Sequence, residues 1–345
     1  MSLLDEIYEQ PGVLRGWLDT CLEQVHRCAR DLRGRDIDYV FLAARGTSDY
    51  AGIYAQYVWG SRNRLPVAFA APSLFTRYDQ YPRLRHALVV GISQSGQSPD
   101  VVRVIAEGRR QGAPTLAITN DAGSPLAQAA EWHLHIHAGR EKAVAATKTY
   151  TAELITVAGL SAALDDDQAA LEALSTLPGA VERALSLEAQ AAEVAGALAE
   201  IEQCVVLGRG YNYATAREWA LKLKELAGVF TDDYSTADFQ HGPIAMVRAG
   251  LPVLAVAPAG AVLEDMLSLL LRLRDQFHAR LLVVSDDAQA IAAGHYGLRL
   301  PTGIPEWLSP VVAIVPAQLY SYHLARHRGY DTERPRTLSK VTRTR

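Results

Sequence analysis

The sequence repeats one arrangement twice, 164 positions apart. "FLAARGTSDYA" (41–51) and "VVLGRGYNYA" (205–214) both leave an apolar run through Arg-Gly, at Arg45-Gly46 and Arg209-Gly210. "LVVGISQSG" ends at Gly96 and "VLAVAPAG" ends at Gly260, again 164 apart. "TLAITND" (115–121) is answered by "LLVVSDD" (281–287) at nearly the same offset. Three strand ends held in register mark an internal duplication, so the chain must fold as a tandem of one unit. Each copy alternates short Val/Leu/Ala-rich runs with longer helical patterns, which is how parallel strands with crossover helices read. The fold class is therefore α/β, with two parallel-sheet domains in tandem.

In the first copy the strands are expected near 38–44, 66–70, 86–92, 114–119 and 132–137, and helices near 48–60, 99–112 and 148–164. The expected division is an N-terminal helical arm (1–31), a first domain (32–170), a helical connector (171–200), a second domain (201–330) and a C-terminal tail (331–345). With 345 residues, 49% of them hydrophobic, the chain can fill two cores. A net charge of −4 gives no general reason to expect a nucleic-acid partner. No stretch reaches the roughly 20 apolar residues of a membrane span, and the first residues lack an apolar signal core. The three cysteines, Cys21, Cys28 and Cys204, are odd in number and lack metal-type spacing, which fits a reducing compartment. A soluble cytoplasmic protein without metal or cofactor is expected.

Open parallel sheets bind ligands beyond the carboxyl ends of their strands. Both "ARGTS" (44–48) and "GISQSGQS" (91–98) stand there, each where a strand hands over to a helix. Helix N-termini offer unpaired N–H groups and partial positive charge, which suit an anion. The hydroxyls of Thr47, Ser48, Ser93, Ser95 and Ser98 add donors, and three or four hydrogen bonds to a charged group, each contributing roughly 1.5–3 kcal/mol, could hold a phosphate without a lysine. Helix capping explains any one of these serines equally well. The duplication favours the ligand, because the second copy has "APAG" where the first has "SQSG" and still reads as the same fold.

These motifs resemble the sugar isomerase (SIS) family over almost the whole chain, in particular the isomerase half of glucosamine-6-phosphate synthase. The resemblance is carried by Gly46-Thr47-Ser48, by Ser93-Gln94-Ser95-Gly96-Gln97-Ser98 and by Val144-Ala145-Ala146-Thr147-Lys148. "ALKLKE" (220–225), "HGP" (241–243), "RPRTLSKVT" (334–342) and "EIYEQP" (6–11) add to it. It implies two flavodoxin-like SIS domains, a small-molecule sugar phosphate as ligand, no cofactor, and a homodimer with shared active sites. It implies phosphate and sugar contacts from Gly46, Thr47, Ser48, Ser93, Gln94, Ser95, Ser98, Val144 and Ala146. Glu225 would be the base moving a proton between C1 and C2 of the open-chain sugar. His241 would assist ring opening from the neighbouring subunit. Lys340 would close over the substrate and contact or transiently condense with its carbonyl. Lys222 would lie near Glu225 and set its charge.

The chemistry independently requires such a set: a base over C1–C2, a proton shuttle for the ring oxygen and exclusion of water. Without the motifs, Glu225 would read as the solvated face of a Lys/Glu helix, His241 as structural and Lys340 as part of a soluble tail. Three departures fall on the sugar side: Arg45 stands where the family has cysteine, Ala146 where it has serine, and Gln240 where it has lysine. The chain opens Met1-Ser2 directly into the isomerase-like part, so no glutamine-hydrolysing cysteine is expected. The motif variants resemble the stand-alone deaminase branch, which converts glucosamine 6-phosphate to fructose 6-phosphate and ammonia. A fructosamine-6-phosphate deglycase and a galactosamine-phosphate deaminase are alternatives in the same class. A non-catalytic sugar-phosphate-binding regulator is the alternative from another class; it would need the cradle but not the base.

Overall fold

Apolar runs without polar alternation have to be buried on both faces, and the strands here obey that rule. The computed structural model describes residues 2–335 and Lys340. In the first repeat β1 (Tyr39–Ala43), β2 (Val67–Phe69), β3 (Ala87–Ile92), β4 (Thr115–Thr119) and β5 (Trp132–His135) form one sheet. In the second, β6 (Gln203–Gly208), β7 (Phe230–Ser235), β8 (Pro252–Val256), β9 (Arg280–Ser285) and β10 (Tyr296–Arg299) form another. The orders are β2-β1-β3-β4-β5 and β10-β9-β8-β6-β7. Read from the other edge, the second is the first again, the flavodoxin-like order. All pairings are parallel, and between the first and third strands of each repeat the 164-residue register is kept: Phe41 faces Val89 as Val205 faces Val253. Every residue of β3 and β4 is buried.

The chain divides into two compact bodies. One carries the first sheet, with 12–141 and 148–175. Its long helix Lys148–Leu164 is buried along all but its last residue, so it serves as a core element rather than an amphipathic cover. Trp17 lies so close to this helix that a Cβ on Gly159 would fall 2.4 Å from its ring. The Trp17 indole N–H donates to Thr156 Oγ1 at 2.8 Å.

The other body carries the second sheet, with 2–11, 142–147 and the residues from 176 onward. The helices expected at the N-terminus are present as Leu3–Tyr8, Gln10–Thr20 and Leu22–Arg33. Glu6 and Gln10, two of the polar residues of "EIYEQP", are fully buried in the second body. Glu6 accepts from the backbone N–H groups of Lys142 (2.5 Å) and Ala143 (3.1 Å). Gln10 Nε2 donates to Gln318 Oε1 at 2.9 Å, and Gln318 Nε2 donates to the Thr147 carbonyl. Among the described residues no helix is long and apolar enough to cross a membrane.

Candidate active site

Strand β1 ends at Ala43, and the chain turns at Gly46 with φ 55° and ψ −131°, a conformation that favours glycine, to start the helix Thr47–Arg62. Strand β3 ends at Ile92 and turns at Gly96, whose φ is 60°. A Cβ on Gly96 would sit 2.2 Å from Ser124 Oγ, so no other residue fits. Ser93 Oγ accepts from Gly96 N–H at 3.2 Å and Ser95 Oγ from Gln97 N–H at 3.3 Å. Each uses one of its two acceptor sites internally and keeps its O–H hydrogen to donate. Ser98 is the N-cap of the helix Pro99–Arg110, yet its side chain makes no cap hydrogen bond. Ser124, the N-cap of the helix Pro125–Ala129, does cap, accepting from Ala127 N–H. The capping explanation therefore fails for Ser98. The backbone carbonyl of Gln94 is fixed by Asn120 N–H and Thr119 Oγ1.

Ser48 behaves differently. It is buried, and its hydroxyl donates to Glu153 Oε1 at 2.8 Å, so in this structure its one hydrogen is turned into the core rather than toward a ligand. Thr47, half-buried, opens the helix beside it. Arg45 is half exposed, and its Nε donates at 2.7 Å to Asp100, whose side chain is 2% exposed. The strand exit of β1 is thereby tied to the helix that follows β3.

Lys340 also belongs to the first body. Its Nζ donates to Glu141 Oε2 at 2.6 Å. Glu141 was not singled out by sequence reasoning, since a glutamate between Arg140 and Lys142 reads as surface. Its side chain is fully buried.

In the second body the helix Tyr213–Lys222 passes into a π turn, Leu223–Ala227, that ends at Gly228 with φ 62°. Such turns widen a helix by one residue and re-aim its side chains. Lys222, 1% exposed, reaches Glu225 Oε2 at 2.5 Å and the fully buried Glu218 Oε1 at 3.4 Å. Burial alone would lower the pKa of the Lys222 ammonium, but the charges and hydrogen bonds of Glu218 and Glu225 outweigh it and hold the pKa above the usual lysine value. Glu225 keeps 22% of its side chain exposed and lines a cavity of about 410 Å³ with Lys224, Tyr330, Asp331 and Arg334. Glu218, four residues before Lys222, completes this network; at i, i+4 it looks in sequence like one more solvated pair.

His241 follows the helix Thr236–Gln240 and is exposed. Gln240 donates from Nε2 to the Thr236 carbonyl, a contact within its own turn. Val144 and Ala146, both half-buried, lie in the 142–147 segment that Glu6 clasps. Within the first body the structure thus gathers Ser93, Ser95 and Ser98 on one loop and places Lys340 on Glu141. Within the second it joins Lys222 to Glu225.

An SIS domain profile matches residues 35–162 and 197–328. The glutamine–fructose-6-phosphate aminotransferase (isomerizing) of Pyrococcus horikoshii is 33% identical over 347 residues, covering 98% of this chain and 57% of that protein. The Bordetella parapertussis protein of the same name is 36% identical, covering 97% and 57%. The chain thus spans a little over half the length of these relatives. The C-terminal domain of glucosamine-fructose-6-phosphate aminotransferase from Francisella tularensis superposes with a TM-score of 0.85 at 27% identity, covering 96% of this chain and 98% of that one. A glucosamine-6-phosphate deaminase from Thermotoga maritima shares the fold, with a TM-score of 0.81 at 22% identity over the whole of both chains. The internal duplication, the two flavodoxin-like sheets and the matches over both repeats agree: this chain belongs to the SIS domain family.

Proposed function

We propose that the protein is a phosphosugar aldose–ketose isomerase acting as a deaminase, with glucosamine 6-phosphate as its leading substrate. The observation that carries this reading is the buried Lys222 between Glu218 and Glu225. A module that only binds a sugar phosphate has no use for a buried ammonium held against a carboxylate that lines a cavity. The open hydroxyls of Ser93, Ser95 and Ser98 take the phosphate, with Gln94 on the same loop. Glu225 removes the C2 proton of the open-chain 2-amino aldehyde and returns it at C1. The resulting C2 imine takes up water and releases ammonia, leaving fructose 6-phosphate. Lys340 steadies the carbonyl end. Val144 and Ala146 line the sugar side, where Ala146 in place of serine leaves one fewer hydrogen bond to the sugar.

His241 serves ring opening in this reading, supplied to a second copy of the chain in a homodimer. That use suits an exposed imidazole. The three cysteines are all buried, and burial pushes the thiols of Cys28 and Cys204 up to about 12, so none is set up as the nucleophile that releases ammonia from glutamine. The test is ammonia release and ketose formation across a panel of amino-sugar and fructosamine 6-phosphates. Turnover of glucosamine 6-phosphate above the others supports the proposal, and preference for a fructosamine moves it to a deglycase. Tight binding of phosphosugars with no turnover of any replaces the enzyme with a binding regulator.

A further inference from the structure

The buried Glu141 is the feature least explained by the fold. A carboxylate removed from water is costly unless its oxygens are satisfied. Here one oxygen, Oε1, accepts from Thr149 N–H at 3.1 Å, and the other, Oε2, accepts from Thr149 Oγ1 at 2.8 Å. Thr149 lies in the first turn of the helix Lys148–Leu164, where orphan N–H groups and the helix dipole favour a negative charge. The carboxylate is therefore fixed in position by the scaffold, not by the tail. Onto the same Oε2 comes Lys340 Nζ, at 2.6 Å, from a residue 199 positions further along the chain. Lys340 is 25% exposed while Glu141 is 0% exposed, so the ammonium is seated from outside on a carboxylate anchored from inside.

We propose that Glu141 is a positioning residue for Lys340. Its fixed charge selects where the ammonium of the tail docks and holds it there before substrate arrives. The role rests on the proposed function only in what Lys340 does next. There the docked ammonium faces the carbonyl of the open-chain sugar, and the long lysine side chain does not have to be ordered anew at each turnover. A salt bridge that served stability alone could have been built from any surface pair. This one sets a buried, helix-anchored carboxylate against a lysine of the tail.

The docking is measured directly by how fast Lys340 is acetylated by an N-hydroxysuccinimide ester, followed by mass spectrometry of the full chain's digest. Lys224, partly exposed in the other body, is the internal reference. Glu141→Gln keeps the shape and loses the charge; Lys340 labelling relative to Lys224 should rise about tenfold or more, the usual loss for a charge-assisted hydrogen bond. Thr149→Val leaves the carboxylate but frees Oε2 from its hydroxyl anchor, and a two- to threefold rise is expected, on the order of a weakened hydrogen bond. It decides the matter if Glu141→Gln does not fold. Equal Lys340 labelling in wild type and in the variants that fold overturns the proposal.

On whichever phosphosugar the wild type converts, Glu141→Gln should lower kcat with KM nearly unchanged, and Glu141→Asp should recover part of the loss. A rise in KM at constant kcat would instead make Glu141 a ground-state binding residue and overturn the positioning role. If the wild type converts no phosphosugar, the enzyme reading falls, while the labelling result still decides whether Glu141 seats Lys340.

Discussion

The loop after β3 and the loop after β8 occupy the same place in the two repeats, and their contents are opposite. After β3, serine hydroxyls surround the turn at Gly96 and Ser98 leaves its cap position unused. After β8, the protein's own carboxylates fill the turn. Glu306 Oε2 accepts from Ala261 N–H at 2.9 Å, and Asp286 Oδ1 accepts from Ala259 N–H at 2.7 Å. Glu306 lies so close that a Cβ on Gly260 would fall 2.1 Å from its carboxyl carbon. Other features stay constant. Arg45–Asp100 in the first repeat is matched by Arg209–Asp265 in the second, so that clasp belongs to the scaffold. Arg45, which departs from the family's cysteine, is on this evidence a framework residue.

The helix after the first strand of each repeat shows the reverse division. Subtracting 164 from Glu218, Lys222 and Glu225 gives Tyr54, Val58 and Ser61. Tyr54 and Val58 are fully buried in an uninterrupted helix, where the second repeat buries a charged network and breaks into a π turn. One copy keeps a loop of serine hydroxyls and an apolar helix; the other closes its loop with carboxylates and charges its helix. Function is legible in the positions where two copies of one framework disagree.

The largest expected effect comes from making the second repeat resemble the first at position 222. Lys222→Met removes the cation that Glu218 and Glu225 share and takes that ion pair from Glu218, whose side chain is 0% exposed. Breaking a buried pair from one side costs about 3–5 kcal/mol, read as a lower urea midpoint. Because the folded-state pKa of Lys222 is raised, its contribution is complete below the ordinary lysine value of 10.5 and is lost only as pH rises through the folded value. The gap between wild type and variant should therefore be flat through neutral pH and close only under strong alkali. Adding Glu218→Gln to Lys222→Met should recover part of the loss. A single variant within about 1 kcal/mol of wild type, well under the cost of a stranded buried charge, would break the contrast.

Separating the two repeats' tasks gives the next effect. Glu225→Gln should lower turnover by about two orders of magnitude or more while changing affinity for a sugar-phosphate product only a few-fold. Ser95→Ala with Ser98→Ala should do the opposite, weakening binding by about tenfold or more through two lost hydrogen bonds to a charged group before turnover falls. Calorimetry on fructose 6-phosphate beside steady-state kinetics reads both. If both variants lose binding and rate in parallel, the repeats do not divide the labour as described.

What the sequence revealed follows from the physics of each feature. The sheets were legible because Val/Leu runs must be buried and because the 164-residue offset fixes one repeat once the other is known. The loop at Ser93–Ser98 stood out because hydroxyls are an unusual filling for a strand exit. The π turn was not legible: "ALKLKELAG" reads as one continuing helix, whereas in the structure it widens, ends at Gly228 and packs against the helix Ser309–His327. Glu218, Glu141 and Glu153 were missed for a common reason. A glutamate is mostly exposed, and only tertiary structure shows that these three are buried against Lys222, Lys340 and Ser48. Ser48 was assigned to the cradle by its place in the motif, and its partner Glu153 lies 105 residues away in the chain.

The smallest expected effect tests whether Glu306 is a built-in substitute for a bound anion. Glu306→Ala frees the Ala261 N–H and removes a hydrogen bond to a charged acceptor, at a cost of about 1–2 kcal/mol. If the carboxylate stands where an anion would, inorganic phosphate should stabilise the variant more than wild type, because a ligand that binds only the folded state raises its melting temperature by mass action. The gain should be modest, since Asp286 still holds its negative charge against the neighbouring Ala259 N–H and repels the incoming anion. Phosphosugar affinity should stay within about twofold of wild type, well short of the change from one lost charged hydrogen bond, because the loop proposed to hold the phosphate is in the other repeat and is untouched. Equal stabilisation of wild type and variant by phosphate would show that Glu306 only braces the turn. The two loops would then differ in packing rather than in what fills them.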